Sequence, residues 1–457
     1  MSPEIEIPNT VEKIDVEAFI GSVNLSKVKL PENSKFTNIS DYVFSHTALK
    51  SITIPSSVVS IGMSVFSKID ELTKIAIPSS VTSIGSNAFG GCTNLADIKV
   101  ESMNTVYSSD NGVLYNKGST ELIQVPGGKE NISIIDTTKV IGDSSFYKCN
   151  KLTSVTIPSG VTKIMDADFG SCTNLSEILI QQGNTYYSSS NDGKMIFGYE
   201  VVNETPTNEL TEIVASVKNT TKIDGINIPS SITKILGGTF SETNLETIDL
   251  TDTNIEEINK GAFQSCSSLR TVIGGKKLKI IGISAFLYSP CNIIKLPADI
   301  EEIGINGITS SQLQSFEFVD YENEGSIPRK YEYKEGIVYH NSSEGKVIHT
   351  VYNFFTELTI PSDIYMIESY AFFGASKIEK VIIEEENNNG LEKIAEKAFF
   401  DCYNLKKIQI PSKTKTIGPG AFFGCSKLKE IHIDKVKESI TGAPWGAPFG
   451  ISVVKWK

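Results

Sequence analysis

The chain repeats itself at intervals of little more than twenty residues, and such a period dictates the architecture before any other property is weighed. The clearest unit, IPSSVTSIGSNAFGGCTNLADIKV, runs from Ile77 to Val100. The segment Ile54 to Ile77 repeats its order of residue types, with Pro55 and Pro78 23 residues apart. Each unit is marked by an aliphatic residue five positions before an aromatic one, as in Ile14/Phe19, Ile61/Phe66, Ile141/Phe146, Ile258/Phe263 and Ile417/Phe422. Thirteen such pairs occur, and Phe is replaced only in Ile303/Ile308.

After most of these aromatics comes Leu, then I-x-I/V, as in Leu72, Ile75, Ile77 and Leu95, Ile98, Val100. That alternation predicts one short strand per coil. The I-G-x-x-A-F segment is too short for a helix and suits a tight turn or a 3₁₀ piece. One coil has too few apolar residues to bury them alone, so neighbouring Leu, Ile and Phe must stack into ladders. The expected fold is a mostly β solenoid of thirteen coils, with a curved parallel sheet on its concave face.

The period lengthens near residues 101–128, 181–215 and 320–356. The three stretches share Tyr followed by Gly: Tyr107 with Gly112, Tyr187 with Gly193, and Tyr331 with Gly336. Asp110-Asn111-Gly112 and Asn191-Asp192-Gly193 are hairpin turn chemistry, because Asn and Gly accept positive φ. We read each stretch as a β-hairpin insertion in a solenoid spanning 1–433. Residues 434–457 carry Trp445, Phe449 and Trp456 with Pro444 and Pro448, which predicts a C-terminal cap over the open core. A shorter insertion, Glu384 to Gly390, reads as a solvated loop.

Charge narrows the partners. Lys plus Arg number 42 against 54 Asp plus Glu, a net charge of −12, which disfavours nucleic acid and anionic membranes. No run reaches the roughly 18 apolar residues of a spanning helix, so no membrane insertion is expected. The start, Met1 to Glu6, has neither the basic flank nor the apolar run of a secretory signal. Either the protein is cytosolic or a signal was trimmed; repeat-like sequence begins at Ile7-Pro8 with no polar cap before it, whereas solenoids protect their open ends, and we expect trimming and an extracellular or cell-surface location.

Chemistry is sparse. His46, His340, His349 and His432 fall in different parts of the array, with no pair at metal-ligand spacing, and no nucleophile elbow or phosphate loop occurs. The expectation is no catalytic residue, no metal and no cofactor. Cys92, Cys149, Cys172, Cys266, Cys402 and Cys425 all lie three residues after the coil Phe, a slot held elsewhere by Ser22, Thr47, Thr243 and Ala375. Exchange with small residues points to buried free thiols.

The motif IP-x-x-V-x-x-IG-x-x-AF-x-x-C-x-x-L-x-x-I-x-I resembles the BspA-like, or Treponema pallidum type, leucine-rich repeats. The insertion from Asn104 to Lys129 is similar to segments between coils in that family. The resemblance implies a leucine-rich-repeat solenoid and a non-enzymatic recognition protein that adheres to host extracellular-matrix, cell-surface or mucosal protein or glycan. The alternative is a structural scaffold or spacer of the cell envelope without its own ligand. Ligand contact is expected at outward strand positions, at Lys74, Asp97, Lys99, Glu177, Asp249, Glu317, Lys407, Gln409, Glu430 and His432, or on the hairpins. Both charge signs occur there, which suits a mixed polar partner.

Overall fold

A computed structural model describes residues 3–165, 167, 169–223, 228–321, 329–352, 354–386, 390–435, 440–448 and 453–456. Phe449 and Asn387 to Asn389 lie outside them. The chain divides into two compact units, Met1–Thr220 with Gly238–Thr243, and Thr221–Gly237 with Asn244–Lys457. Both are solenoids, mostly β. A 3₁₀ turn lies at Phe169–Ser171, and no α-helix occurs among the described residues.

The I-x-I/V segments form the expected parallel strands. In the first unit Lys74–Ile77 pairs with Asp97–Val100, and Ser154–Ile157 with Glu177–Ile180. In the second, Thr247–Asp249, Thr271–Ile273, Ile293–Pro297 and Ser315–Val319 follow one another. Glu357–Ile360, Lys380–Ile383, Lys407–Ile410 and Glu430–Ile433 make another such series.

One strand per coil proves too few. A second parallel ladder forms at the marker isoleucine itself, from two-residue strands such as Asn38–Ile39, Ser60–Ile61 and Ser83–Ile84. Two residues carry no readable alternation; their pairing is set by the coil stacked beside them.

The corner between Ile and Phe explains the lack of helix. Ser64 and Lys68 have φ of 51° and 55°, in the left-handed region that L residues occupy at a cost. The same offsets from the marker recur at Tyr42 and His46, Ser144 and Lys148, and Lys397 and Asp401. This conformation aims alternate amides along the stack: the N–H groups of Ser64, Phe66 and Lys68 donate to the carbonyls of Ser86, Ala88 and Gly90 in the next coil. Between those bonds the rings stack, with Phe44, Phe66 and Phe89 at centroid spacings of 5.9 and 5.8 Å.

The cysteine slot does more than save volume. Cys92, Cys172 and Cys425 donate Sγ–H to the carbonyl of the preceding coil's Phe66, Phe146 and Phe399 at 2.9, 3.1 and 3.1 Å, and Ser289 does the same to Phe263. All seven cysteines are free and buried. Burial pushes the Cys92 and Cys425 thiols up to about 12. Because the thiolate is the reactive species, the native protein should not react with Ellman's reagent, and all seven thiols should titrate after unfolding without reductant. A single free group there would overturn the assignment.

Among the described residues antiparallel pairing is confined to the three insertions. The first, Tyr107–Asp110, Val113–Asn116 and Glu121–Gln124, is a three-stranded meander rather than a projecting hairpin. Its last strand joins the ladder by parallel pairing with Val140–Ile141. The third insertion likewise ends on Lys346–Val351, parallel to Ile364–Ile367. Turns therefore outnumber the thirteen marker pairs. In all three, the tyrosine hydroxyl accepts the N–H of the marker isoleucine one coil back, Tyr107 from Ile84, Tyr187 from Ile164 and Tyr331 from Ile303, each at 2.9 Å.

After Ile433 the Phe422 N–H donates to Trp445 O, Val454–Trp456 pairs with the last repeat strand, and the Trp445 and Trp456 rings meet at 6.4 Å.

Candidate functional site

Period-two geometry sends alternate strand side chains to opposite faces. In Lys74–Ile77, Ile75 and Ile77 are buried while Lys74 and Ala76 face outward. Asp97 and Lys99 are exposed around buried Ile98, and Lys74 stands opposite Asp97. Glu177 is half-buried in the same unit.

In the second unit Asp249 is half-buried, and Glu317 reaches Lys295 on the neighbouring strand at 3.2 Å. Lys407, Gln409, Glu430 and His432 come together at its C-terminal end. Lys407 and His432 both contact Glu430 at 3.1 Å, and Gln409 donates to Asp434. The hydrogen bond from Lys407 holds the Glu430 carboxyl below its ordinary value. The ten positions are thus spread over separate strand groups: Lys74, Asp97 and Lys99 are neighbours in the first unit, and Lys407, Gln409, Glu430 and His432 in the second.

Sequence reasoning missed an aromatic shelf. Phe373, Phe400 and Phe423 each follow the coil Phe directly, where other coils have Ser45, Ser67 or Gly90. Their rings step at 5.9 and 5.6 Å. Tyr370 lies against Phe400 and Tyr288 against Phe373, and the face of Phe423 is 56% exposed. The paired letters FF were the available signal. A cavity of about 350 Å³ opens beside Tyr288, Ser310 and Phe373.

The histidines also require a correction. His340 and His349, expected in unrelated parts of the array, lie on the adjacent antiparallel strands Ile337–Asn341 and Lys346–Val351. Both reach one carboxylate: His340 Nε2 lies 2.8 Å from Glu368 Oε1, and His349 Nδ1 lies 2.6 Å from Glu368 Oε2. Burial pushes the Glu368 carboxyl up, but the bonds from His340 and His349 outweigh it and hold it at about 2. One potential ligand atom from each of the three residues lies within 4.8 Å of the others.

A family model described as a BspA type leucine-rich repeat region, in six copies, matches residues 2–118, 128–191, 205–324 and 351–443. Among solved structures, the chain is similar to a leucine-rich repeat protein from Eubacterium ventriosum, at 23% identity over 71% of this chain and 79% of that one, with a TM-score of 0.42. It is also similar to the pneumococcal vaccine antigen PcpA, at 14% identity over 100% of this chain and 79% of that one, with a TM-score of 0.37. A third similarity is to a Treponema pallidum leucine-rich repeat protein, at 18% identity over 55% of this chain and 75% of that one, with a TM-score of 0.19. No curated protein matches the chain.

Proposed function

The chain belongs to the BspA-type leucine-rich-repeat family, and from that premise we propose that it is a secreted or surface-held, non-enzymatic recognition protein. Its partner is a protein or glycan of a host's extracellular matrix, cell surface or mucosa. The observation that carries this reading is the contrast along each strand. Inward positions repeat as Ile, Val or Leu, while outward ones change from Lys74 and Ala76 to Asp97 and Lys99 and on to Lys407 and Gln409.

Exposed ion pairs of that kind contribute only about 0–1 kcal/mol to a fold, so stability does not account for the variety. The aromatic shelf adds rings of the type enriched at interface centres. A spacer of the cell envelope is the second reading, favoured by the way Lys295 with Glu317 and Lys407 with Glu430 satisfy one another.

Surface plasmon resonance against purified matrix proteins and mucin glycans tests both. Saturable binding that falls by about tenfold or more, roughly 1.4 kcal/mol, on Lys74→Glu, Lys99→Glu or Lys407→Glu is the expected result. Affinity that is unaltered there but lost on replacing the turn Asp110 to Gly112 would move the site to the insertions. Absence of saturable binding across the panel would leave the spacer reading standing.

A further inference from the structure

We propose that His340, His349 and Glu368 form a binding site for one divalent transition-metal ion, of which Zn²⁺ is the probe. The repeat itself supplies the first argument, because the same local framework occurs without these residues. Tyr331 pairs across the hairpin with His340 as Tyr107 does with Asn116. Ile348 pairs with Ile367 as Leu122 does with Ile141, so that His349 and Glu368 correspond to Ile123 and Gly142. The fold is therefore built equally well from Asn, Ile and Gly, and the donor set is not a requirement of the scaffold.

Glu368 is the strongest of the three departures. It directly follows its marker isoleucine, a position held by Gly62, Gly85, Gly282, Gly304 and Gly418 in other coils. Three substitutions separated by up to 28 residues in the chain converge on one point. In the first insertion the corresponding place, lined by Asn116, Ile123 and Gly142, is an open cavity of about 460 Å³.

Geometry and donor type supply the second argument. Two ligands each about 2 Å from a tetrahedral Zn²⁺ stand about 3.3 Å apart, so the hydrogen-bonded separations of 2.8 and 2.6 Å between each imidazole and the carboxylate need open by only about half an ångström to take an ion. Two imidazole nitrogens and a carboxylate suit zinc and its neighbours, whereas calcium and magnesium take oxygen shells. The outer nitrogens, His340 Nδ1 and His349 Nε2, are buried and have no hydrogen-bond partner among the described residues. Without an ion each neutral ring donates its inner N–H to Glu368; on binding, that proton moves to the outer nitrogen and the inner lone pair turns to the cation, with no net proton lost. His349 is almost fully enclosed, while His340 and Glu368 side chains keep 16% and 24% of their exposure, which leaves a way in.

The test is isothermal titration of the chelator-treated full chain with ZnCl₂, together with thermal denaturation. The expected result is one equivalent bound with a raised midpoint, retained in His432→Ala, which removes a histidine elsewhere. Glu368→Gln and His349→Ile should each weaken binding by more than the roughly 100-fold that loss of an outer-shell partner costs. The triple variant His340→Asn, His349→Ile, Glu368→Gly, which copies the first insertion, should keep the far-ultraviolet circular dichroism spectrum and bind no ion. Failure of the unsubstituted chain to bind saturably, or undiminished binding by the folded triple variant, would overturn the site.

Discussion

Replacing Phe263 with alanine should cost about 3–5 kcal/mol of unfolding free energy, in the range for a buried aromatic truncated to leave a cavity. The ring is fully buried and lies parallel to Phe286, with centroids 5.1 Å apart. Its own N–H is fixed by Ala285 O of the next coil, so the backbone cannot follow the lost volume. Urea denaturation would show a lowered midpoint with little change in slope. Phe19 offers the internal comparison: it stacks on Phe44 at 5.6 Å but is only partly buried, and its truncation should cost distinctly less. An unchanged midpoint for Phe263→Ala would remove the ring ladder from the core.

A loss of about 3 kcal/mol is expected from Asn104→Ala, although no apolar volume of note disappears. The Asn104 amide donates to the carbonyls of Pro78 and Val81, both at 2.9 Å, while its oxygen accepts the N–H groups of Val106 and Tyr107. Pro78 O keeps the Val81 N–H, but alanine would strip the Val81 carbonyl and the Val106 and Tyr107 N–H groups of these bonds where Asn104 is only 1% exposed, and each buried group left unpaired costs about 1–3 kcal/mol. Asn184 makes the same four bonds, to Pro158, Val161, Tyr186 and Tyr187, from a half-buried position. Thermal denaturation should rank Asn184→Ala as the milder change. Equal effects would show that solvent repairs neither site and that burial is not the cause.

What the sequence made legible follows from how far each feature reaches along the chain. Phe66, Phe89 and their equivalents recur at a fixed interval, so their stacking could be read without coordinates, as could the I-x-I strands. The two-residue ladder at Ile61 and Ile84 could not, because its hydrogen bonds belong to the stacked neighbour and leave no local alternation. The left-handed corners were equally silent, since Ser64, Tyr370 and Lys397 are not the glycines that usually advertise positive φ. His349 and Glu368 are 19 residues apart, and His349 is the residue skipped where Val338 pairs with Thr350 and Tyr339 with Ile348, so no alternation announces it. The aromatic shelf was visible as letters but not as a surface: the marker Ile394 assigns Phe399 to the core and leaves Phe400 outside it, but does not show that Phe373, Phe400 and Phe423 stack on one another.

The tyrosine hydroxyl that meets the marker isoleucine has a meaning for how such a chain can diversify. A coil that loses its neighbour leaves one amide hydrogen unclaimed at the seam, and Tyr107, Tyr187 and Tyr331 each close that seam with a single oxygen. The third strand of the meander then restores the register on which later coils stack, as Glu121–Gln124 does for Val140–Ile141. The segment between seam and restored register works as a portable cassette: genetic duplication or exchange can place it between two coils at the price of one hydroxyl. Variation is thereby channelled to the loops within the cassette, and the core can be inherited unchanged.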